Sequence, residues 1–402
     1  MLAASCAPPS PATQGSGSLE ISHSWTSPGE VRAVHELVQA YQSAGGRWRD
    51  FSVAGFQNVD ALVLSRIVGG QPPGAYIVVA GPILDDLAEH GLLLPIDDVA
   101  HEGHWRSQLP PELFAALGAR GHVYAAPLNI HVNNWLFASM AALHQAGVRA
   151  MPTTWPQAFD AMDRLKRAGL VPLAFGGQPW QEQYVFDSIL LSKGGPSLYL
   201  RVYKERDPAA IRSSQFRDVV ETFGRLRNYV DAGSPGRNWN DATAMLISGK
   251  GGFQIMGDWV QAEFRRAGMQ PDIDYGCSLS VMGGGANYSS DAFVFPRAGA
   301  ATRPAQMLLA QVTTQPAVQA RFAQRLGALP AFGGGPSNSL DACDRRAEQA
   351  LTASGKSAPS STVLLAPDVH GDLEDVISEY WARGVSEEVF IDRFATLLET
   401  AT

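Results

Sequence analysis

The chain has no CxxC pair, no apolar run long enough for a membrane-spanning helix, and no basic stripe. Without a CxxC, neither of its downstream cysteines, Cys277 and Cys343, has the setting of a zinc or dithiol redox site. Without the apolar run there is no transmembrane helix. Arg and Lys are scattered and the formal charge is −8, whereas a nucleic-acid or anionic-membrane surface needs a basic face. That balance suits a small neutral or cationic ligand. Signatures of catalysis are missing as well. No GxSxG nucleophile elbow occurs. His101-Glu102-Gly103-His104 spaces its histidines three apart, not the four of a zinc-binding HExxH helix. Gly355-Lys356-Ser357 imitates the end of a phosphate loop, but Ala350 stands where the loop's first glycine belongs. Nothing assembles a nucleophile with its base or a set of metal ligands, so no cofactor is expected. No repeat of fixed period is present.

What is present is an ordinary globular composition: 402 residues, 45% of them hydrophobic, with 40 Gly and 26 Pro. That is enough chain for two domains, each with its own core. Met1-Leu2-Ala3-Ala4-Ser5-Cys6 is like the tail of a lipoprotein signal peptide, which makes Cys6 a lipidation candidate. The following stretch to Ser18 is rich in Pro, Ser, Gly and Ala and reads as a flexible tether, so residues 1–18 are set apart from the fold. In an oxidising compartment Cys277 and Cys343 would be an even pair fit for one disulfide; in a reducing one they are two thiols.

Along the chain, Leu19 to Ser22 alternates like a strand, and a helix follows on dense start signals. Ser27 is the expected N-cap, Pro28 the first helical residue and Glu30 the third position of a capping box. Val31, Val34, Leu37, Val38 and Tyr41 are its expected apolar face. Strands are expected at 48–54, 75–80, 171–175, 252–256 and 291–295, and 121–135 reads as one long extended segment. Helices are expected at 58–69, 81–94, from Trp155, at 182–193, over most of 208–250, at 304–327 and through the C-terminal region. Strands alternating with helices predict a doubly wound α/β fold. Polar or aromatic groups collect where strands give way to helices, at Trp25, at Gln178 to Gln181 and at Asp258-Trp259. In open α/β sheets those ends line the ligand crevice. Aromatic faces cover the C–H patches of a sugar ring while carboxylates and amides meet its hydroxyls. Hydrogen bonds to charged acceptors are worth roughly 1.5–3 kcal/mol, so a few carboxylates can dominate selectivity.

The segments His23-Ser24-Trp25-Thr26-Ser27-Pro28-Gly29-Glu30, Pro127-Leu128-Asn129-Ile130-His131 with Asn134-Trp135, Gly176-Gly177-Gln178-Pro179-Trp180-Gln181, and Trp239-Asn240-Asp241-Ala242 through Gly257-Asp258-Trp259 carry a family likeness. In order and spacing they resemble the extracellular solute-binding proteins of carbohydrate ABC importers, in the group that includes glucose/mannose-binding proteins. The resemblance runs from about Leu19 to the C-terminus. It implies two α/β lobes, each a sheet flanked by helices, joined by crossover hinge segments with the sugar in the cleft between them. The expected division is 19–129 with about 286–330 for the first lobe, and 130–285 with about 331–402 for the second. The resemblance implies a periplasmic or lipid-anchored monomer that closes on its ligand and delivers it to membrane permease subunits. It implies stacking on Trp25, hydroxyl acceptance by Glu30, contributions from Asp258 and Trp259, and roles for Asp291 and His370; Asn129, His131, Trp180 and Gln181 are further candidates. Cys277 and Cys343 fall where members of the group can carry a cysteine pair. Glucose-binding members show two tryptophans where this chain has Ser24-Trp25, polar strand ends where it has Val78-Val79-Ala80-Gly81, and a basic residue near its Gly333. Those exchanges predict a wider, less polar cleft, so a glucose-type hexose is only the first expectation. The alternatives are a non-sugar or modified-sugar solute, a glycan-acting enzyme using Glu30, Asp258 and Asp291, and a surface adhesion or sensor lobe.

Overall fold

The computed structural model describes residues 18–279, 281, 285–299, 301–333, 340–353 and 355–401; Cys6 and all but the last residue of the expected tether lie outside them. The capping signals act as written. Ser27 caps the helix Pro28–Ser43, its hydroxyl accepting from the Glu30 N–H, and the Glu30 carboxylate accepts from the Ser27 N–H in return. The inner face is Ala33, Val34, Leu37 and Tyr41. Val31, expected there, is 49% exposed, because the face turns past it.

The strands in chain order are β1 (Ser18–His23), β2 (Arg47–Ser52), β3 (Ala75–Val79), β4 (Gly118–Ala119), β5 (His122–Val123), β6 (Ala125–Pro127), β7 (His131–Val132), β8 (Trp135–Ser139), β9 (Val171–Leu173), β10 (Gly251–Met256), β11 (Tyr275–Leu279), β12 (Ala286–Ser289), β13 (Asp291–Val294) and β14 (Ser357–Pro359). The first sheet has the order β2-β1-β3-β13-β6 and the second β11-β8-β10-β9. β1 runs parallel to β2 and β3, but β13 is antiparallel to both β3 and β6. The doubly wound expectation therefore holds for β1, β2 and β3 and for the parallel pair β9 and β10 of the second sheet, while the returning chain makes the first sheet mixed. A third, three-stranded sheet, β14-β12-β7, lies where the chain passes between the other two. β7 leads from β6 in the first sheet to β8 in the second, and β12 leads back from β11 to β13.

Two large apolar cores follow the sheets. One gathers Ile21, Leu37, Tyr76, Phe293 and Phe322; the other gathers Phe186, Phe216, Phe223, Phe390 and Phe394. A smaller cluster around Trp135, Phe137, Phe264 and Tyr275 sits under the second sheet. The helix expected at 182–193 starts at Pro179 and extends to Tyr203, with a break at Gly195 (φ 66°) just before Pro196, where only glycine turns without strain. The run expected as one helix over 304–327 is two, Arg303–Thr313 and Pro316–Leu326, since Pro316 cannot continue the first. The extended segment 121–135 is divided among β5, β6, β7 and the first residue of β8, as its polar residues serve different sheets.

Cys277 on β11 is joined to Cys343 on the helix Ala342–Thr352 by a disulfide spanning 66 residues. A loop of that length restricts the unfolded chain considerably. Cys343→Ser, or reduction of the wild type, is expected to lower stability by about 2–4 kcal/mol, measured by denaturant unfolding with and without reductant; equal midpoints would show that the bridge contributes nothing.

Candidate functional site

The site is built around the chain crossings. His131 opens β7, Asp291 opens β13 in the first sheet, and Asp258 follows β10 in the second. All three side chains are buried. The imidazole lies between the two carboxylates, Nδ1 on Asp258 and Nε2 donating to Asp291 Oδ2 at 2.9 Å. Burial by itself would lower the pKa of His131, but the flanking charges of Asp258 and Asp291 outweigh it and hold the imidazolium up at about 10. Burial pushes the Asp258 carboxyl above its ordinary value, opposed by His131 and by the Val132 N–H, which donates to Asp258 Oδ2 at 2.7 Å. Asn129 completes the set: its amide donates to Asp291 Oδ2 at 3.1 Å and its carbonyl oxygen accepts from the Asp291 N–H at 2.9 Å. The crossing thus carries two carboxylates, one cation and an amide with almost no water contact.

An aromatic cluster lies against this network. The start of the helix Pro179–Tyr203 carries Trp180 and, one turn on, Tyr184. Tyr184 packs edge-on against both Trp180 and Trp259, with ring centroids 5.6 Å apart in each case. Trp259 in turn stands edge-on to His131 at 5.2 Å. Trp180, Tyr184 and Trp259 are only half-buried. Burial and the carboxylates of Asp291, Asp187, Glu374 and Asp258 hold the Tyr184 hydroxyl protonated, so it can donate.

Beyond Tyr184 a narrow gap is lined by Asn133, Asn134, Asp187, Asn287 and Ser360 to Thr362. Asp187 is fully enclosed and accepts from Tyr203 at 2.5 Å, Ser361 at 2.6 Å and Tyr199 at 3.3 Å; burial still raises its pKa to about 6. His370 bonds through Nε2 to the Thr362 hydroxyl at 3.1 Å, and burial lowers its pKa to about 4, so it is neutral at physiological pH. The end of β3 closes on the same loop: a Cβ on Gly81 would lie 3.2 Å from the Val363 Cα.

Asn129, His131, Asp258, Trp259, Asp291 and Trp180 therefore come together, while His370 bonds to Thr362 of the gap's lining. Three candidates do not join them. Trp25 is 2% exposed and packs on Phe293, Phe322 and His23 within the first core, leaving no ring face for a sugar. Glu30 is engaged by the Thr26 and Ser27 N–H groups as a helix cap, and burial raises its pKa to about 7. Gln181 is buried beneath the 176–178 turn, donating to Gln178 at 2.8 Å and to the Arg237 carbonyl at 3.1 Å. Ser24, Val78 and Ala80 are buried too, and Gly333 is exposed, so the exchanges at Val78 and Ala80 alter the first core rather than widen a cleft. Tyr184, Asp187 and Thr362 went unnoticed in the sequence. The helical interval from Trp180 to Tyr184 was a signal for the first; Thr362 had none. Among the described residues no cluster of three or more His, Cys, Asp and Glu is placed to hold a metal ion, and no helix is long and apolar enough to cross a membrane.

Comparison with known proteins places this architecture. The fold is the two-lobed one of periplasmic binding proteins. It superposes on a chitin oligosaccharide binding protein with a TM-score of 0.80 at 19% identity, covering 96% of this chain and 99% of the other. It matches a bacterial solute receptor described as exclusive for β-D-galactopyranose with a TM-score of 0.78 at 20% identity, covering 96% and 98%. A protein of Brucella melitensis named probable sugar-binding periplasmic protein is 34% identical over 396 residues, 95% of this chain and 92% of its own length. Residues 29–311 match the bacterial extracellular solute-binding protein family, and the chain belongs to that family. It is a binding protein, not an enzyme.

Two outcomes follow from this geometry. His131 is charged below an unfolded pKa of 6.5 in both states, and the folded value is about 10. Its share of stability is thus full below pH 6.5 and lost as pH rises toward 10. Against a neutral isosteric reference (His131→Gln with Asp258→Asn and Asp291→Asn), the melting-temperature advantage contributed by the charged histidine is expected to shrink across that window; an advantage that grows there would contradict the assignment. Trp25→Ala is expected to cost about 3–5 kcal/mol of unfolding free energy, as for a buried aromatic; a loss under about 1 kcal/mol, typical of surface positions, would show that the ring is not core.

Proposed function

We propose that the protein is the periplasmic sugar-binding subunit of an ABC importer, closing on a mono- or disaccharide and presenting it to membrane permease subunits. Its relatives support the class: the Brucella melitensis protein is named as sugar-binding and periplasmic. The observation that carries the ligand class is the half-buried cluster of Trp180, Tyr184 and Trp259 against the carboxylates of Asp258 and Asp291. Aromatic rings and carboxylates side by side suit a molecule with C–H faces and hydroxyl donors.

In this reading Trp180 and Trp259 pack on the sugar ring. Asp258 and Asp291 accept from its hydroxyls, His131 balances their charge, and Tyr184, Asn129 and neutral His370 read the remaining polar edges. A glucose-type hexose is the first candidate, and the structural neighbours, one named for a chitin oligosaccharide and one for galactopyranose, set the range to be screened. The moving bodies are 19–129 with about 286–330 and 130–285 with about 331–402, a division supported by the two large cores. The protein acts as a monomer, and Cys6 is the residue that would carry a lipid anchor.

A melting screen against D-glucose, D-galactose, D-mannose, maltose and chitobiose tests this. A sugar at a hundred times its Kd stabilises by about 2.7 kcal/mol, so at least one is expected to raise the melting temperature by several degrees. Trp259→Ala is expected to weaken that sugar's binding by about tenfold or more, the scale of a lost ring contact with its buried area. A panel without any shift, with another solute class giving one, sinks the carbohydrate reading.

A further inference from the structure

One helix start in the first core is completed by a carboxylate from the other side of the molecule. The opening N–H groups of an α-helix have no partners within the helix. In the helix Pro28–Ser43, which packs Ala33, Leu37 and Tyr41 into the first core, Ser27 and Glu30 satisfy each other's backbone through the capping box. The N–H of Gly29 is satisfied differently: it donates to Glu263 Oε1 at 2.7 Å, across 234 residues of sequence. Glu263 lies on the helix Val260–Arg266, whose Val260 and Phe264 are packed with Phe137 and Tyr275 beneath the second sheet. Its other oxygen accepts from Arg266 Nε at 3.0 Å, and the side chain is almost fully enclosed. A carboxylate at a helix N-terminus gains both a charge-assisted hydrogen bond and the favourable end of the helix dipole.

The contact is also too close for any side chain at position 29. A Cβ there would lie 2.7 Å from Glu263 Oε1 and 2.8 Å from both the backbone and the Cβ of Ala262. Gly29 is not among the glycines with positive φ, so its own helix makes no demand for glycine and would accept alanine more readily. The demand for glycine comes from the opposing helix. Nearby, Arg265 donates to the Gln324 carbonyl on the first-core helix Pro316–Leu326 while holding Asp341 and Asp344 at 2.7 and 2.8 Å. Gln261 on the same short helix donates to the Gly327 carbonyl at 2.9 Å, so that helix reaches the first core at three points.

We propose that Gly29 and Glu263 form a closure latch, a positioning pair that sets how closely the two lobes approach and so tunes ligand affinity without touching the ligand. The inference rests on the hinge-closure reading given above. When the lobes part, the Gly29 N–H and the Glu263 carboxylate separate and return to water; when they close, the bond re-forms and favours the ligand-holding state. A stabilisation of the closed form lowers the apparent Kd by the fraction of closed state it adds.

Small-angle scattering of the unliganded wild type, Glu263→Gln and Gly29→Ala tests the latch directly. Both variants are expected to show a larger radius of gyration than wild type, with unchanged helical circular dichroism. With whichever of the five panel sugars gives the largest melting shift, each variant is expected to bind about tenfold more weakly, chiefly through faster dissociation, as loss of a hydrogen bond to a charged group implies. Superimposable scattering curves for all three proteins overturn the latch, as does unaltered sugar affinity in Glu263→Gln. A panel with no binding sugar defeats the carbohydrate reading instead, and the scattering comparison then decides the latch alone.

Discussion

Where the chain passes from the first sheet to the second and back, one imidazolium is held between two buried carboxylates. His131 is on an outgoing strand, Asp291 begins the returning one, and Asp258 follows the inner strand β10 of the second sheet. Taking three ionisable groups out of water is expensive, and such a set survives only when the charges offset one another and are hydrogen-bonded. Here the imidazolium lies between the carboxylates, and Asn129 and the Val132 N–H donate to them as well. The network therefore demands that residues 129–132, 258 and 291 sit within hydrogen-bond reach of one another, and that demand places both sheets about the crossing.

The aromatic cluster depends on the same point. Trp259 follows Asp258 directly, so anchoring the carboxylate aims the indole; Tyr184 and Trp180 meet it from the long helix Pro179–Tyr203. Low dielectric surroundings keep Tyr184 protonated and His370 neutral, giving a surface of donors and acceptors with little free charge. A binding protein gains from that arrangement because an uncharged ligand can exchange its hydration for matched hydrogen bonds without leaving buried charge unpaired.

Much of the local structure was legible in the residues. Ser27, Pro28 and Glu30 announce a capped helix because each signal acts within one turn, and β3 is recognisable from an apolar run whose burial does not depend on its neighbours' direction. The direction itself was not legible: β13 enters antiparallel, and nothing in Ala75 to Val79 distinguishes a parallel partner from an antiparallel one. The same holds at the site. Asp258-Trp259 stood out at a strand end and Asn129 and His131 through the family likeness, whereas Trp25, at another strand end, and Glu30, a capping residue in the same likeness, turn inward, one to Phe293 and Phe322 and the other to its own helix start.

Short-range chemistry was settled by the sequence alone: the capped start of the helix Pro28–Ser43, the apolar run of β3, and the family likeness that the motif spacings spell out. Tertiary structure decided everything that depends on a distant partner. It chose His131 over Trp25 as the centre of the candidate site, because burial and charge pairing are properties of neighbours 127 and 160 residues away. It joined Cys277 to Cys343, and it brought Glu263 to Gly29. A glycine in the first turn of a helix reads as a minor imperfection until the opposing backbone is known; only then does its missing side chain become a requirement.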